Sequence, residues 1–349
     1  MRNLIVVFVV TVLLLASAPA AVYAASGGVT GSVKGGNTAP TVDAVALLET
    51  GSDTPVTAMT PLSEYRVKVT CGDLNTIDDI QTIEVHVYHT SDDGAQSALT
   101  EWDADQCGIF LWTKGSGWTM QNGAATTTWA LGTGAEPSVF TGTTGDWYLA
   151  FEPGELAMYD ATADSWLAWA RADDESGNAT GTSASGATMG AYNEISFDTA
   201  TITFGDALTG IELGDTGYIT SPGTQYITAK TASNATYELG IKSSATWVNG
   251  GNSIALSGTA ETPPTGDGQF TLIVDDTTSG GGEPKFSTQG VTTTNTAITG
   301  HTVDSPTPTL DNADEGTTDL PLYMSLSLSQ SGVEEVTYSG TVTFTVTNN

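Results

Sequence analysis

The chain has 349 residues, of which 40 are acidic and 9 basic, giving a formal net charge of −31 at neutral pH. Phosphate backbones are gripped by Lys and Arg, so this balance excludes nucleic acid as a partner and disfavours an anionic membrane surface. Glycine numbers 40, threonine is abundant and the residues that build long helices are scarce, which predicts an all-β fold.

The first 24 residues, MRNLIVVFVVTVLLLASAPAAVYA, open with a basic Arg2 and run apolar from Leu4 to Ala16. Val22-Tyr23-Ala24 has the small-residue form of a cleavage site. Residues 1–24 therefore predict a signal peptide and a secreted, cell-surface protein. The alternative is an uncleaved anchor, but the apolar core falls short of the ~20 residues a spanning helix needs. No later stretch is apolar enough to cross a bilayer, so no membrane span is expected after signal cleavage. Removal of Arg2 makes the mature chain more acidic still.

Residues 25–40, ASGGVTGSVKGGNTAP, predict an extended N-terminal segment. It is either a disordered terminus or a strand that pairs with another subunit. Residues 41–175 predict a first β-sandwich. Tyr65, Val67, Val69 and Cys71 alternate with Arg66, Lys68 and Thr70, and Ile83, Val85 and Val87 alternate with Glu84, His86 and Tyr88. A period of two gives one buried and one wet face. Residues 176–195, SGNATGTSASGATMGAYNEI, read as a linker. Residues 196–349 predict a second β-sandwich: Tyr237, Leu239 and Ile241 share one face, as do Leu322, Met324, Leu326 and Leu328, and Val342, Phe344 and Val346 close the chain. A Gly/Thr/Pro/Asp-rich stretch, 276–321, reads as one long loop.

The runs TAPTVDAVALLE, EYRVKVTCGDLNTIDDIQTIEVHVY and WLAWARADDESGNATG resemble immunoglobulin-like β-sandwich modules of archaeal secreted cell-surface proteins. At the level of pattern they also resemble cadherin-like and polycystic-kidney-disease-type repeats. The closing strand, Tyr338-x-Gly340-x-Val342-x-x-x-Val346, is similar to the terminal strand of secreted sandwiches, fimbrial and cell-wall domains among them. The resemblance implies an Ig-like fold and a surface role.

Little here could carry chemistry. Cys71 and Cys107 are the only cysteines, and an even pair in an exported chain predicts a disulfide worth about 3 kcal/mol; the alternative is two buried thiols. His86 and His89 fall on opposite faces of one strand, and with His301 they read as surface or turn residues rather than zinc ligands. Hard cations take six to eight oxygens, so Asp/Asn-rich loops point to calcium as the one candidate ion. The loops are Asp73, Asn75, Asp78, Asp79, then Asp173, Asp174, Glu175, Asn178, then Asp311, Asn312, Asp314, Glu315; the alternative is solvated turns. Asn178 and Asn234 head N-glycosylation sequons. Trp102, Trp112, Trp118 and Trp129 are either core or a carbohydrate-stacking platform. No nucleophile elbow, phosphate loop or dinucleotide fingerprint occurs, so an enzyme is not expected. The expected function is that of an extracellular structural protein, a subunit of a surface layer, filament or matrix. Its partners would be further copies of itself or other surface proteins, with a carbohydrate-binding adhesin as the alternative.

Overall fold

The computed structural model describes residues 36–91, 105–121, 129–206, 210–221, 226–235, 237–259, 263–275, 290–303 and 318–348. The chain divides into two units, Met1–Asn37 and Thr38–Asn349, and the fold below is that of the second. The signal-peptide residues, residues 25–35, Trp102 and the Asp311–Glu315 cluster lie outside the described residues. The described residues are all-β, with one short 3₁₀ turn at Ile77–Asp79. Among them no helix is long and apolar enough to cross a membrane.

The first sandwich is built from β1 (Thr41–Glu49), β2 (Ala58–Met59), β3 (Tyr65–Gly72), β4 (Thr82–His89), β5 (Cys107–Thr113), β6 (Gly117–Met120), β7 (Ala130–Leu131), β8 (Thr144–Glu152), β9 (Trp166–Asp173), β10 (Asn178–Thr182) and β11 (Thr188–Met189). One sheet has the order β1-β3-β8-β7 and the other β10-β9-β4-β5-β6, while β11 lies parallel to β2. The two-residue period does what it predicts. Val67, Val69 and Cys71 of β3, Ile83, Val85 and Val87 of β4, and Trp147, Leu149 and Phe151 of β8 all point into one core. Trp112, Trp129 and Trp166 fill the same core beside the small Ala168, Ala170 and Ala172 of β9. Each large apolar side chain buried in this way contributes about 1.5–3 kcal/mol.

Register fixes the two ends of this sandwich. Thr41 pairs with Gly72, and Gly72 with Thr144, so the chain comes in beside the loop after β3. Tyr65 pairs with Glu49 and Phe151 at the opposite end, where the 153–165 loop leaves β8.

The second sandwich holds β12 (Asn193–Phe197), β13 (Thr203–Phe204), β14 (Thr216–Ser221), β15 (Tyr226–Ser233), β16 (Tyr237–Ser243), β17 (Thr246–Asn249), β18 (Asn252–Leu256), β19 (Gln269–Asp275), β20 (Thr296–Val303), β21 (Thr318–Leu328) and β22 (Val342–Asn348). Its larger sheet runs β12-β15-β21-β19-β18-β17, with β14 also on β21; the smaller runs β20-β16-β22. Strand β21 is the spine. One edge is shared between β15, along Thr318–Tyr323, and β14, along Ser325–Ser327, while β19 takes the other edge. Leu322, Met324, Leu326 and Leu328 face the core with Leu239, Ile241, Phe270 and Leu272. Ser325 and Ser327 are buried too, because the far face is covered; Ser327 shares a 2.7 Å hydroxyl bond with Thr216.

Two boundaries need correction. The 176–195 segment is not a linker, since β10, β11 and the start of β12 occupy it. Its small residues serve close packing. A Cβ on Gly181 would sit 2.8 Å from Val42 Cγ1, and one on Gly186 only 2.1 Å from the Trp166 carbonyl oxygen. The 276–321 stretch is likewise not one loop, because β20 lies within it and β21 begins at Thr318. Thr-rich runs such as TNTAITGHTV suit an edge strand as well as a loop, and pairing with β16 settles which forms.

Candidate functional site

A dense set of hydrogen bonds among the described residues lies where the two sandwiches meet. Asn234, in the turn between β15 and β16, is 5% exposed. Its Nδ2 donates to the Ala157 carbonyl at 2.7 Å and to the Gly190 carbonyl at 3.0 Å. Its Oδ1 accepts the Tyr192 amide at 2.6 Å, and its own carbonyl accepts the Tyr159 amide at 3.3 Å. Both amide hydrogens and the side-chain oxygen are thus used, reaching the 153–165 loop of the first sandwich and the strand-to-strand passage into the second. Ser233 supports the turn, its hydroxyl lying 2.7 Å from the Ala235 carbonyl and beside Asn193 Oδ1 and accepting the Ala235 amide at 3.2 Å.

The same loop is tied back to β4. His89 is 5% exposed and lies edge-on to Trp166, with centroids 5.6 Å apart. Its Nδ1 accepts the Ser91 amide at 3.2 Å and lies 2.6 Å from Ser91 Oγ; its Nε2 lies 3.0 Å from Asp160 Oδ2. An amide can only donate, so Nδ1 carries the lone pair and Nε2 the proton that reaches Asp160. Burial pushes the Asp160 carboxyl up, but its bonds from Thr162 and His89 outweigh that and hold it below the usual range. The bonding order Ser91–His89–Asp160 matches a hydrolase triad, with the ring turned so that Nδ1 rather than Nε2 faces the serine. Asp160 belongs to the loop that carries Ala157 and Tyr159, so this chain of bonds fixes the junction. His86 is also buried, at 2%, tilted against Trp169 with ring centroids 4.6 Å apart and bonded through Nε2 to Glu84 Oε1 at 2.8 Å. Both histidines are therefore interior, which corrects the surface reading. They do lie on opposite faces of β4.

Cys71 and Cys107 are buried thiols that are not joined to each other, which corrects the expected disulfide. Cys71 points into the core between the sheets, whereas Cys107 packs with Tyr88, Ile109 and Trp169 on the other side of the second sheet. A strand layer stands between them. Burial, helped by the nearby Asp43 and Asp146 charges, pushes the Cys71 thiol up to about 12.

The two sequons part company. Asn178 is exposed at the start of β10. Asn234 is the junction residue, and a glycan on Nδ2 would take one of its two hydrogens and force the sandwiches apart, so it is not an acceptor in the folded chain. Of the described tryptophans in that set, Trp112 and Trp129 are core, and Trp118 is half-buried and packs so close to Gly134 that a Cβ there would lie 2.3 Å from its ring.

The acidic loops also differ. In the second, Asp173 Oδ1 pairs with Arg171 at 2.7 Å, and Asp174 Oδ1 accepts the Ser176 and Gly177 amides at 2.7 and 2.8 Å. Glu175 and Asn178 are exposed on that turn. In the first, Asp78 pairs with Lys114 at 2.9 Å, and Asn75 Oδ1 takes the Thr38 amide at 2.9 Å, with Asp79 closing the 3₁₀ turn. Asp73 is 3% exposed; its Oδ1 accepts the Asn75 amide at 2.7 Å and its Oδ2 has no hydrogen-bond partner. Among the described residues no three His, Cys, Asp or Glu side chains converge as a metal cluster.

No family model and no curated protein matches this chain. Among solved structures it is similar to the 35 kDa C-terminal fragment of the major pilin GBS80 of Streptococcus agalactiae, at 10% identity and a TM-score of 0.21. That match covers 59% of this chain and 65% of the pilin fragment. A likeness so slight carries no argument about function, and the resemblance to archaeal surface modules rests on strand pattern alone.

Proposed function

We propose that this chain is an extracellular structural protein, a subunit of a surface layer, filament or matrix whose copies meet through β-sandwich faces and edges. The observation that carries the reading is the junction. A buried asparagine uses every hydrogen-bonding group of its side chain to fix one sandwich on the next, a construction suited to bearing load rather than to admitting a substrate. The residue types that could do chemistry are absorbed in the same way: His89 and Asp160 brace the junction loop, Cys71 is core, and the tryptophans fill the sandwich. The acidic surface and the signal-like N-terminus agree with a life outside the cell, where multivalent cations can screen or bridge neighbouring copies. Sedimentation velocity of the mature chain over a wide concentration range tests this. Large, concentration-dependent species are expected; a strict monomer at every concentration, with calcium present, counts against the proposal.

A further inference from the structure

Of the acidic loops in the described residues, the one after β3 holds a buried carboxylate oxygen without a donor. Asp73 sits at the end of the first sandwich where the chain comes in, and its amide is fixed to the Thr143 carbonyl at 2.9 Å. One carboxylate oxygen closes the local turn onto Asn75. The other is sealed from solvent and meets no N–H or O–H. A carboxylate in that position is costly unless something positive or a proton meets it. The chain has few bases to offer, and Lys114, which reaches this loop from the end of β5, is engaged by the Asp78 carboxylate and carbonyl. The second acidic loop, by contrast, satisfies its carboxylates internally through Arg171, Ser176 and Gly177.

We infer that the loop after β3 binds one calcium ion through Asp73 Oδ2, the rest of the shell being neutral oxygens of the loop and water. Calcium accepts such mixed oxygen shells, and a single carboxylate places the site in the weak, extracellular range, with Kd about 10⁻⁴–10⁻³ M. The site clamps the turn that receives Thr38, so it stiffens the point where the N-terminal segment joins the fold. It does not depend on whether copies of the chain assemble.

Thermal unfolding of the mature chain in about 0.15 M salt, with 10 mM calcium or 10 mM magnesium, tests the site. Magnesium reproduces general screening of the acidic surface but dehydrates reluctantly, so it serves as the comparator. Calcium is expected to raise Tm by about 2 °C more than magnesium, as ligand linkage gives at roughly ten times Kd. Asp73→Asn keeps the turn acceptor, removes the charge and should abolish that difference. Asp174→Asn should keep it. No calcium-specific rise in the wild type, or one that survives Asp73→Asn, overturns the inference. Should Asp73→Asn fail to fold, calorimetric titration of the wild type decides. One saturable calcium site per chain supports the inference, and no saturable heat overturns it.

Discussion

Replacing Asn234 by Ala removes three side-chain hydrogen bonds and strands two buried carbonyls and an amide. The expected cost is about 2–4 kcal/mol in urea unfolding. Asn234→Asp should cost more, because it turns a carboxylate toward the Ala157 and Gly190 carbonyls. Equal stability of wild type and Asn234→Asp would show that the junction is open in solution. If the natural host glycosylates the chain, peptide mass spectrometry should find sugar on Asn178 and none on Asn234. At the same scale, Cys71 should resist iodoacetamide at pH 8 until the chain is unfolded, because its thiol lies near 12 and is sealed in the core. Fast labelling of Cys71 in the native state would contradict its placement.

At the scale of strands, β4 carries a buried polar pair whose pH behaviour can be worked out. The bond from His86 holds the Glu84 carboxyl below its ordinary 4.5; burial opposes this and Arg171 adds to it. A lowered folded value means that the pair stabilises the fold fully above pH 4.5 and that this contribution is lost as the pH falls further. Glu84 keeps partial solvent contact, so the contribution should stay below about 1 kcal/mol. The stability difference between wild type and Glu84→Gln should therefore shrink between pH 6 and pH 3.5; a difference constant across that range would contradict the pairing. Gly186→Ala should destabilise by about 1–3 kcal/mol, since the added Cβ meets a backbone carbonyl that cannot move aside. Alternation made the core strands legible: the inward sets of β3, β4, β8, β16 and β21 can all be named from the sequence. Edge strands were not legible. In β10 and β20, Thr, Gly and Asn serve strand pairing as readily as turns, and only the neighbouring strand decides. The junction was hidden for a similar reason. Asn234 reads as a sequon, and its partners Ala157 and Gly190 contribute backbone atoms alone, which leave no trace in side-chain pattern. His89 and Asp160 are 71 positions apart, with no motif to link them. The cysteine pair misled because parity shows which face a residue takes on its own strand, but not whether a sheet lies between two such faces.

For the whole molecule, the two polar sites fall at opposite ends of the first sandwich. The junction lies at one end of the first sandwich; the Asp73 loop and the arriving chain lie at the other. His86, His89, the two thiols and the described tryptophans are buried or half-buried within the sandwiches, which agrees with the proposed role as a subunit of a larger surface assembly. Electron microscopy of the purified mature chain tests that claim most directly. Ordered filaments or sheets are predicted; dispersed single particles at the highest attainable concentration, with and without calcium, would contradict it.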